Sequence, residues 1–561
     1  MQSKKIAPIS AGIFIVLILY FFPQITIRAK SIIFLIIFLF LIFSKNSSFK
    51  FKKFIFINNP TIYFLLLLLI ILFQNRLLNF EIISIDVPSY LVASQDVSID
   101  NLPFEKQWES KGPVFMYLYK LFIILSNNNL VIFKILNDFI LFFISIIIFK
   151  TSENISRNKI TSLICALLFI LITSYEWYVT ELSELYCLIF ISIHYFIISK
   201  YKITGYSVFV SSLMISFSTL VNQSNAIFLI GIIFTIFIYN TKSDNLKLLF
   251  NLIIGFLIPQ ILFILIYYLN GLSKLFITNY IKIPFGYVSS GSFRAYELVV
   301  WLRRYFLYSE FLYYSILGIL VVLFLTILRR KFIFDKTLLI NIVYLLLGFS
   351  IYVIAGHNYQ HHLFYSIFFI SIFLAHIKIE ISTLTIYFLI FISSIHILSF
   401  SIQPSYNNLK SPFETQNNYP LKQLADQIIL QYEGRDFEVL AVDHVLLLFY
   451  LQKNNTNYIV HPYNNFEKYI VNALLETNLL KTNENNHLSY YIELEPEIII
   501  CAPQTIIDGS PTKLGADIFN CDIADYKKNY YKLDTKIYLN NPNREYYYDP
   551  YTSIDVFIKN S

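Results

Sequence analysis

Two residues at either end of one polar stretch, Asp86 and Lys111, have the chemistry to take a proton and to hold an anion. The stretch opens Asp86-Val87-Pro88-Ser89-Tyr90 and closes Lys111-Gly112-Pro113. A carboxylate at a low-dielectric boundary can serve as general base towards a hydroxyl. An ammonium on the same loop can face a phosphate at a membrane surface. The plainer alternatives are a solvated acid, or the cap of a helix entered at Pro88, for Asp86, and an interfacial lysine lying along apolar surface for Lys111. Trp108 and Tyr117 would suit an aromatic belt equally well.

Three further groups stand out. Glu181 and Glu184, in TELSELY, are spaced i, i+3 and would share a helix face, where two carboxylates could bind a cation or an acceptor, or simply begin a solvated helix. His357, His361 and His362 lie in GHNYQHHLFY; His357 and His361 are i, i+4, but no HExxH acid partner is present, so a divalent metal is possible without being indicated. Contact with a donor phosphate, or interfacial packing, is the expectation for these histidines. Arg294, Arg303 and Arg304 could clamp a phosphate through paired hydrogen bonds or touch lipid headgroups. No Walker loop, GxSxG elbow or Rossmann glycine fingerprint occurs, so an activated nucleotide substrate is not indicated.

The elements that must position these residues are apolar. The chain has 561 residues, of which 56% are hydrophobic and 14% charged, against about 25% charged in soluble domains. Spans are expected at 9–23, 31–45, 59–75, 130–150, 160–175, 182–199, 206–221, 224–240, 249–269, 311–328, 336–355, 362–377 and 381–401, about thirteen in all. With a cytoplasmic N-terminus, the basic clusters at Lys50–Lys53, Lys150–Lys159, Lys200–Lys202, Lys242–Lys247 and Arg329–Lys331 all fall on one side. The opposite side receives outer loops 76–129 and 270–310 and the tail. The N-terminal run reads as a retained first helix.

The expected division is a multi-pass membrane part, 1–403, and a C-terminal α/β domain, 404–561. Strands are expected at 437–442, 457–461, 497–501, 534–539 and 554–559, with helices over 444–452 and 465–480. Residues 402–561 carry a net charge of −7 and the remainder +14, so the formal +7 reflects topology and not a nucleic-acid groove. Cys165 and Cys187 sit in apolar runs and read as inert packing residues; Cys501 and Cys521 could pair if the tail faces an oxidising compartment.

Taken together, these features resemble the GT-C superfamily of membrane glycosyltransferases, in particular the bacterial branch related to protein O-mannosyltransferases and lipid A aminoarabinose transferases. The resemblance rests on Asp86-Val87-Pro88-Ser89-Tyr90 as the opening of the first outer loop, and on Leu102-Pro103-Phe104 through Trp108-Glu109-Ser110-Lys111-Gly112-Pro113. It extends to Tyr359 with His361-His362 before a late span, and to Leu494-Glu495-Pro496-Glu497-Ile498-Ile499 in the tail.

It implies an α-helical polytopic membrane bundle with a C-terminal extracytoplasmic α/β domain, in the cell (inner) membrane. It also implies transfer of a sugar, with inversion, from a polyprenyl-phosphate donor to an extracytoplasmic acceptor, without a cofactor. Asp86 would be the base. Lys111 and an outer-loop arginine, Arg294 or Arg303, would hold the phosphate, with Tyr90, Glu181, His361 and His362 at the substrate. Val87 replaces the family's usual second acid, and three spans precede the loop where one is usual; Asp96 and Asp100 are the reserve bases. A transporter or flippase of lipid-linked sugars, or a polymerase using the same carrier, is the alternative.

Overall fold

The computed structural model describes residues 58–82, 84, 86–173, 180–200, 203–239, 242–291, 293–296, 335–356, 359–376, 405–480, 491, 494–501, 529–533 and 554–560. The expected spans 9–23, 31–45, 311–328 and 381–401, and the strand expected at 534–539, lie outside these residues.

The bundle comprises α1 (Asn59–Gln74), α2 (Asp86–Gln95), α3 (Pro113–Leu125), α4 (Leu130–Ser156), α5 (Lys159–Thr173), α6 (Ser183–Lys200), α7 (Gly205–Val221), α8 (Phe228–Tyr239), α9 (Lys242–Leu269), α10 (Lys336–Ala355) and α11 (Phe364–Phe373). Helix starts follow their capping residues. Asn58, Asn129 and Asp335 accept hydrogen bonds from the N–H groups of Thr61, Ile132 and Leu338 at 3.0, 2.9 and 2.9 Å, which satisfies donors that the first helical turn leaves open. Five segments, Asn59–Asn79, Leu130–Ser156, Ser183–Lys200, Asn245–Leu269 and Lys336–Ala355, are long and apolar enough to cross a membrane. They fall on five of the expected spans, and they are the helices of a membrane protein. The apolar helices Lys159–Thr173, Gly205–Val221 and Gln223–Tyr239 are shorter.

Helix packing is built on aromatic rings. Tyr90 of α2, Phe115 and Tyr119 of α3 and Tyr186 of α6 form one buried block. Phe115 meets Tyr90 and Tyr186 edge-on at 4.9 and 5.2 Å between centroids. Such pairs add about 0.5–1.5 kcal/mol each beyond area burial. The block locks the short helix that carries Asp86 to the long ones.

The tail contains α12 (Pro420–Gln431), α13 (Leu446–Leu451), α14 (Lys468–Glu476) and strands β1 (Val439–Ala441), β2 (Ile498–Cys501), β3 (Tyr530–Lys532) and β4 (Asp555–Lys559). The sheet order is β1-β2-β4-β3. β1 runs parallel to β2, and β4 is antiparallel to both β2 and β3. Ile498, Ile499 and Ile500 are fully buried, as expected of a strand covered on both faces. β1, β2 and β4 lie within the stretches expected to be strands.

The stretch 457–461 does not join this sheet. Ile459 instead forms a parallel bridge with Trp108 of the loop that follows α2. Cys165 and Cys187 are buried free thiols; Cys501 is disulfide-bonded, and Cys521 lies outside the described residues.

Candidate active site

Asp86 is the first residue of α2, where open N–H groups and the helix dipole favour an anion. The side chain is partly exposed and the helix behind it is buried. Its Oδ1 lies 3.0 Å from Nε2 of His461, a tail residue 375 positions away. Burial pushes the Asp86 carboxyl up. The hydrogen bond from His461 and the positive charges of His461, His361 and Lys111 outweigh that and hold it well below the ordinary carboxylate range.

Lys111 reaches the same place from the far end of the loop. Its Nζ stands 5.8 Å from the centre of the Tyr90 ring, a cation–π distance. Burial works against the ammonium, but the carboxylates of Glu184, Asp86 and Glu109 prevail and raise its pKa. Glu109 is buried, and Ser110 donates to its Oε1 through both N–H and Oγ, at 2.6 and 2.7 Å. Burial raises its carboxyl above the ordinary value, against His461, Ser110 and Lys111. Its Oε2 has no hydrogen-bond partner among the described residues.

The loop is held there by close backbone contact. The Gly112 N–H donates to the Val221 carbonyl at the end of α7, at 2.9 Å. A Cβ on Gly112 would stand 2.1 Å from the Leu220 carbonyl oxygen. On its other side the loop pairs with the tail. Trp108 N–H donates to Tyr458 O at 2.8 Å, and Val460 N–H returns to Trp108 O at 3.3 Å. Gln107 and Asn455 exchange bonds of 3.0 and 3.1 Å, and Gln95 donates to Lys453 O at 2.6 Å.

The structure separates the two glutamates that sequence spacing had joined. Glu184, fully buried on α6, lies 3.5 Å from Nδ1 of His362, and the His361 and His362 rings lie tilted against each other with centroids 4.6 Å apart. Glu181 sits before the helix begins. It lines a small cavity with Glu81, Lys134, Val87 and Pro88. Arg294 is exposed, just beyond the helical segment Ile283–Ser290. Of the reserve bases, Asp96 accepts from the Asn454 amide and Asp100 is exposed. Arg303, Arg304 and His357 lie outside the described residues. His461 and Glu109 were not singled out from sequence.

Glu184, His361 and His362 can each offer one ligand atom within 4.8 Å of the others. Glu184 Oε1 and both His362 ring nitrogens are buried with no hydrogen-bond partner among the described residues. One carboxylate and two imidazoles suit zinc or a similar divalent cation. The sequence left a divalent metal possible without indicating one, and its spacing did not bring Glu184 to the histidines.

The cavity group is a second cluster of charge. Glu81 accepts from the N–H groups of Leu421 and Lys422, at 2.9 and 3.1 Å, and so caps α12 of the tail. Burial pushes its carboxyl up to about 7, against the bonds from Leu421, Tyr450 and Lys422 and the charge of Lys134. A carboxyl with a higher pKa folded than unfolded binds more protons when folded, so stability falls as pH rises from about 4.5 to 7 and then levels off. The melting temperature of the detergent-solubilised protein is expected to fall across that window, and Glu81→Gln to flatten the fall. An unchanged slope in the variant would assign the effect elsewhere.

No family model matches the chain, and no curated relative matches it by sequence. Among solved structures it is similar to the Archaeoglobus fulgidus oligosaccharyltransferase in its apo form. The identity is 11% and the TM-score 0.41, over 81% of this chain and 70% of that one. A likeness of that degree carries no weight for fold or activity, and the functional reading rests on the site.

Proposed function

We propose that the chain is an integral-membrane glycosyltransferase. It moves a sugar from a polyprenyl-phosphate carrier to an acceptor on the extracytoplasmic face of the cell membrane, with inversion and with Asp86 as general base. The observation that carries this reading is the convergence of Asp86 and Lys111 at the mouth of an apolar bundle, with Glu184, His361 and His362 beside them. A lipid-borne phosphate must enter sideways from the bilayer, and its developing charge needs a fixed cation in a water-poor cleft.

In the proposed step the acceptor oxygen attacks the anomeric carbon as the bond from that carbon to the phosphate oxygen breaks. The bonding pair leaves with the phosphate, opposite Lys111, and the acceptor proton passes to Asp86. A carboxyl held this low is a weak base, suited to a proton that turns acidic only as the new bond forms. A divalent cation on Glu184, His361 and His362 would add positive charge for the phosphate. Lys111 and Tyr90 orient that end of the donor with or without it.

Membranes containing the protein, given a panel of polyprenyl-phosphate sugars, are expected to yield a glycosylated product and free polyprenyl phosphate by mass spectrometry. Movement of labelled carrier across vesicles with no new glycosidic bond would favour a transporter, and chain elongation on the carrier a polymerase.

A further inference from the structure

The tail is joined to the loop of Asp86 at several points, and one of them is chemical. His461 is buried, stands 3.0 Å from the Asp86 carboxylate and follows directly on the paired stretch Tyr458–Val460. Its own backbone is buttressed. Asn465 Nδ2 donates to the His461 carbonyl at 3.2 Å, and Asn457 Nδ2 donates to Asn465 Oδ1 at 2.6 Å. The imidazole is therefore aimed by a rigid turn, and the turn is set in register by Trp108.

Resting on the glycosyltransferase reading, we propose that His461 is the positioning residue of the general base, so that the tail completes the transferase site and does not merely decorate it. The imidazolium donates Nε2–H to Asp86 Oδ1, fixing the carboxylate plane and leaving Oδ2 for the acceptor hydroxyl. The charged groups around the imidazole are Asp86 on α2 and Glu109 and Lys111 from the loop. Burial lowers the pKa of His461, but the hydrogen bond to Asp86 and the two carboxylates outweigh burial and Lys111 and raise it above the ordinary histidine value. A base raised in the folded state contributes stability in full below its unfolded pKa of about 6.5. That contribution is lost as pH rises through the folded value. Positioning is expected to fade over the same alkaline range.

The test compares wild type, His461→Gln and Tyr458→Phe on the same carrier panel. His461→Gln is expected to lower kcat about ten- to a hundredfold, as when a second residue that orients a reacting group is lost. KM for the donor should hold, and the alkaline limb of the pH profile should disappear. Tyr458→Phe removes only the hydroxyl bonded to the Phe104 carbonyl; it is expected to lower the melting temperature without altering the pH profile. A folded His461→Gln protein with wild-type kcat and an unchanged profile overturns the proposal. If that variant does not fold, wild-type melting as pH rises above about 6.5, the unfolded histidine value, decides. A melting temperature that falls across this range supports the ion pair, and a flat one overturns it. If wild type transfers no sugar from any carrier, the glycosyltransferase reading fails, while the melting comparison still tests the pair.

Discussion

Asp86→Asn is expected to lower transfer about a thousandfold, with only a modest fall in melting temperature from the lost ion pair to His461. Asparagine has nearly the same shape, and its amide oxygen can still accept from His461 Nε2, which now lies 3.0 Å from Oδ1. What it cannot do is take a proton from the acceptor. The loss should therefore fall on kcat, with KM for the donor held by Lys111 and the groups around it. Initial rates on the carrier panel, with melting curves of both proteins in detergent, provide the measurement. Near-normal transfer by the asparagine variant would remove Asp86 as base.

Gly112→Ala is expected to destabilise the protein by about 3 kcal/mol, the upper end for overpacking a tight site, and to abolish transfer with it. Gly112 has φ −72° and ψ 167°, a conformation open to any residue, so its need for glycine is spatial. The added methyl carbon would lie 2.1 Å from Leu220 O and 2.7 Å from Leu220 C, both backbone atoms of α7, and 3.3 Å from the Tyr280 ring. Backbone cannot rotate aside as a side chain can. The loop would have to retreat, break its 2.9 Å bond to Val221 O and carry Lys111 away from Asp86. Gly271→Ala is the control. It has φ +71° and nothing within 4 Å, so its cost is backbone strain of about 1–2 kcal/mol and its activity should survive. Equal melting temperatures for Gly112→Ala and wild type would contradict the close approach.

The sequence made the two ends of the loop legible because both are local. An acid after an apolar run, and a Lys-Gly-Pro before the next one, can be read without knowing any partner. The sequence shows Gly112 only as a member of Lys-Gly-Pro, whereas the structure makes it a contact position against Leu220. Spacing along one chain cannot reveal how near another helix comes.

The glutamates show a second limit. An i, i+3 argument needs both residues on the helix, and α6 begins at Ser183, after Glu181. The tail strands rich in isoleucine were found because buried strands read as continuous apolar runs. The stretch 457–461 has a strand's composition too, but alternation does not say that its partner is Trp108 and not the sheet. For the same reason His461 carried no signal. Its role is created by a contact across 375 residues. Glu109 was closer to hand, beside Trp108 and Lys111, but its burial follows from the pairing of Trp108 with the tail.

The order of these partners along the chain sets a timetable for biogenesis. The ribosome delivers Asp86 early and its imidazole 375 residues later, about 20 s or more at ordinary elongation rates. Throughout that interval the acid lacks the group that holds it. A nascent or prematurely terminated chain ending before Tyr458 therefore cannot assemble the pair, which forms only once the last segment has been made and has docked on the loop.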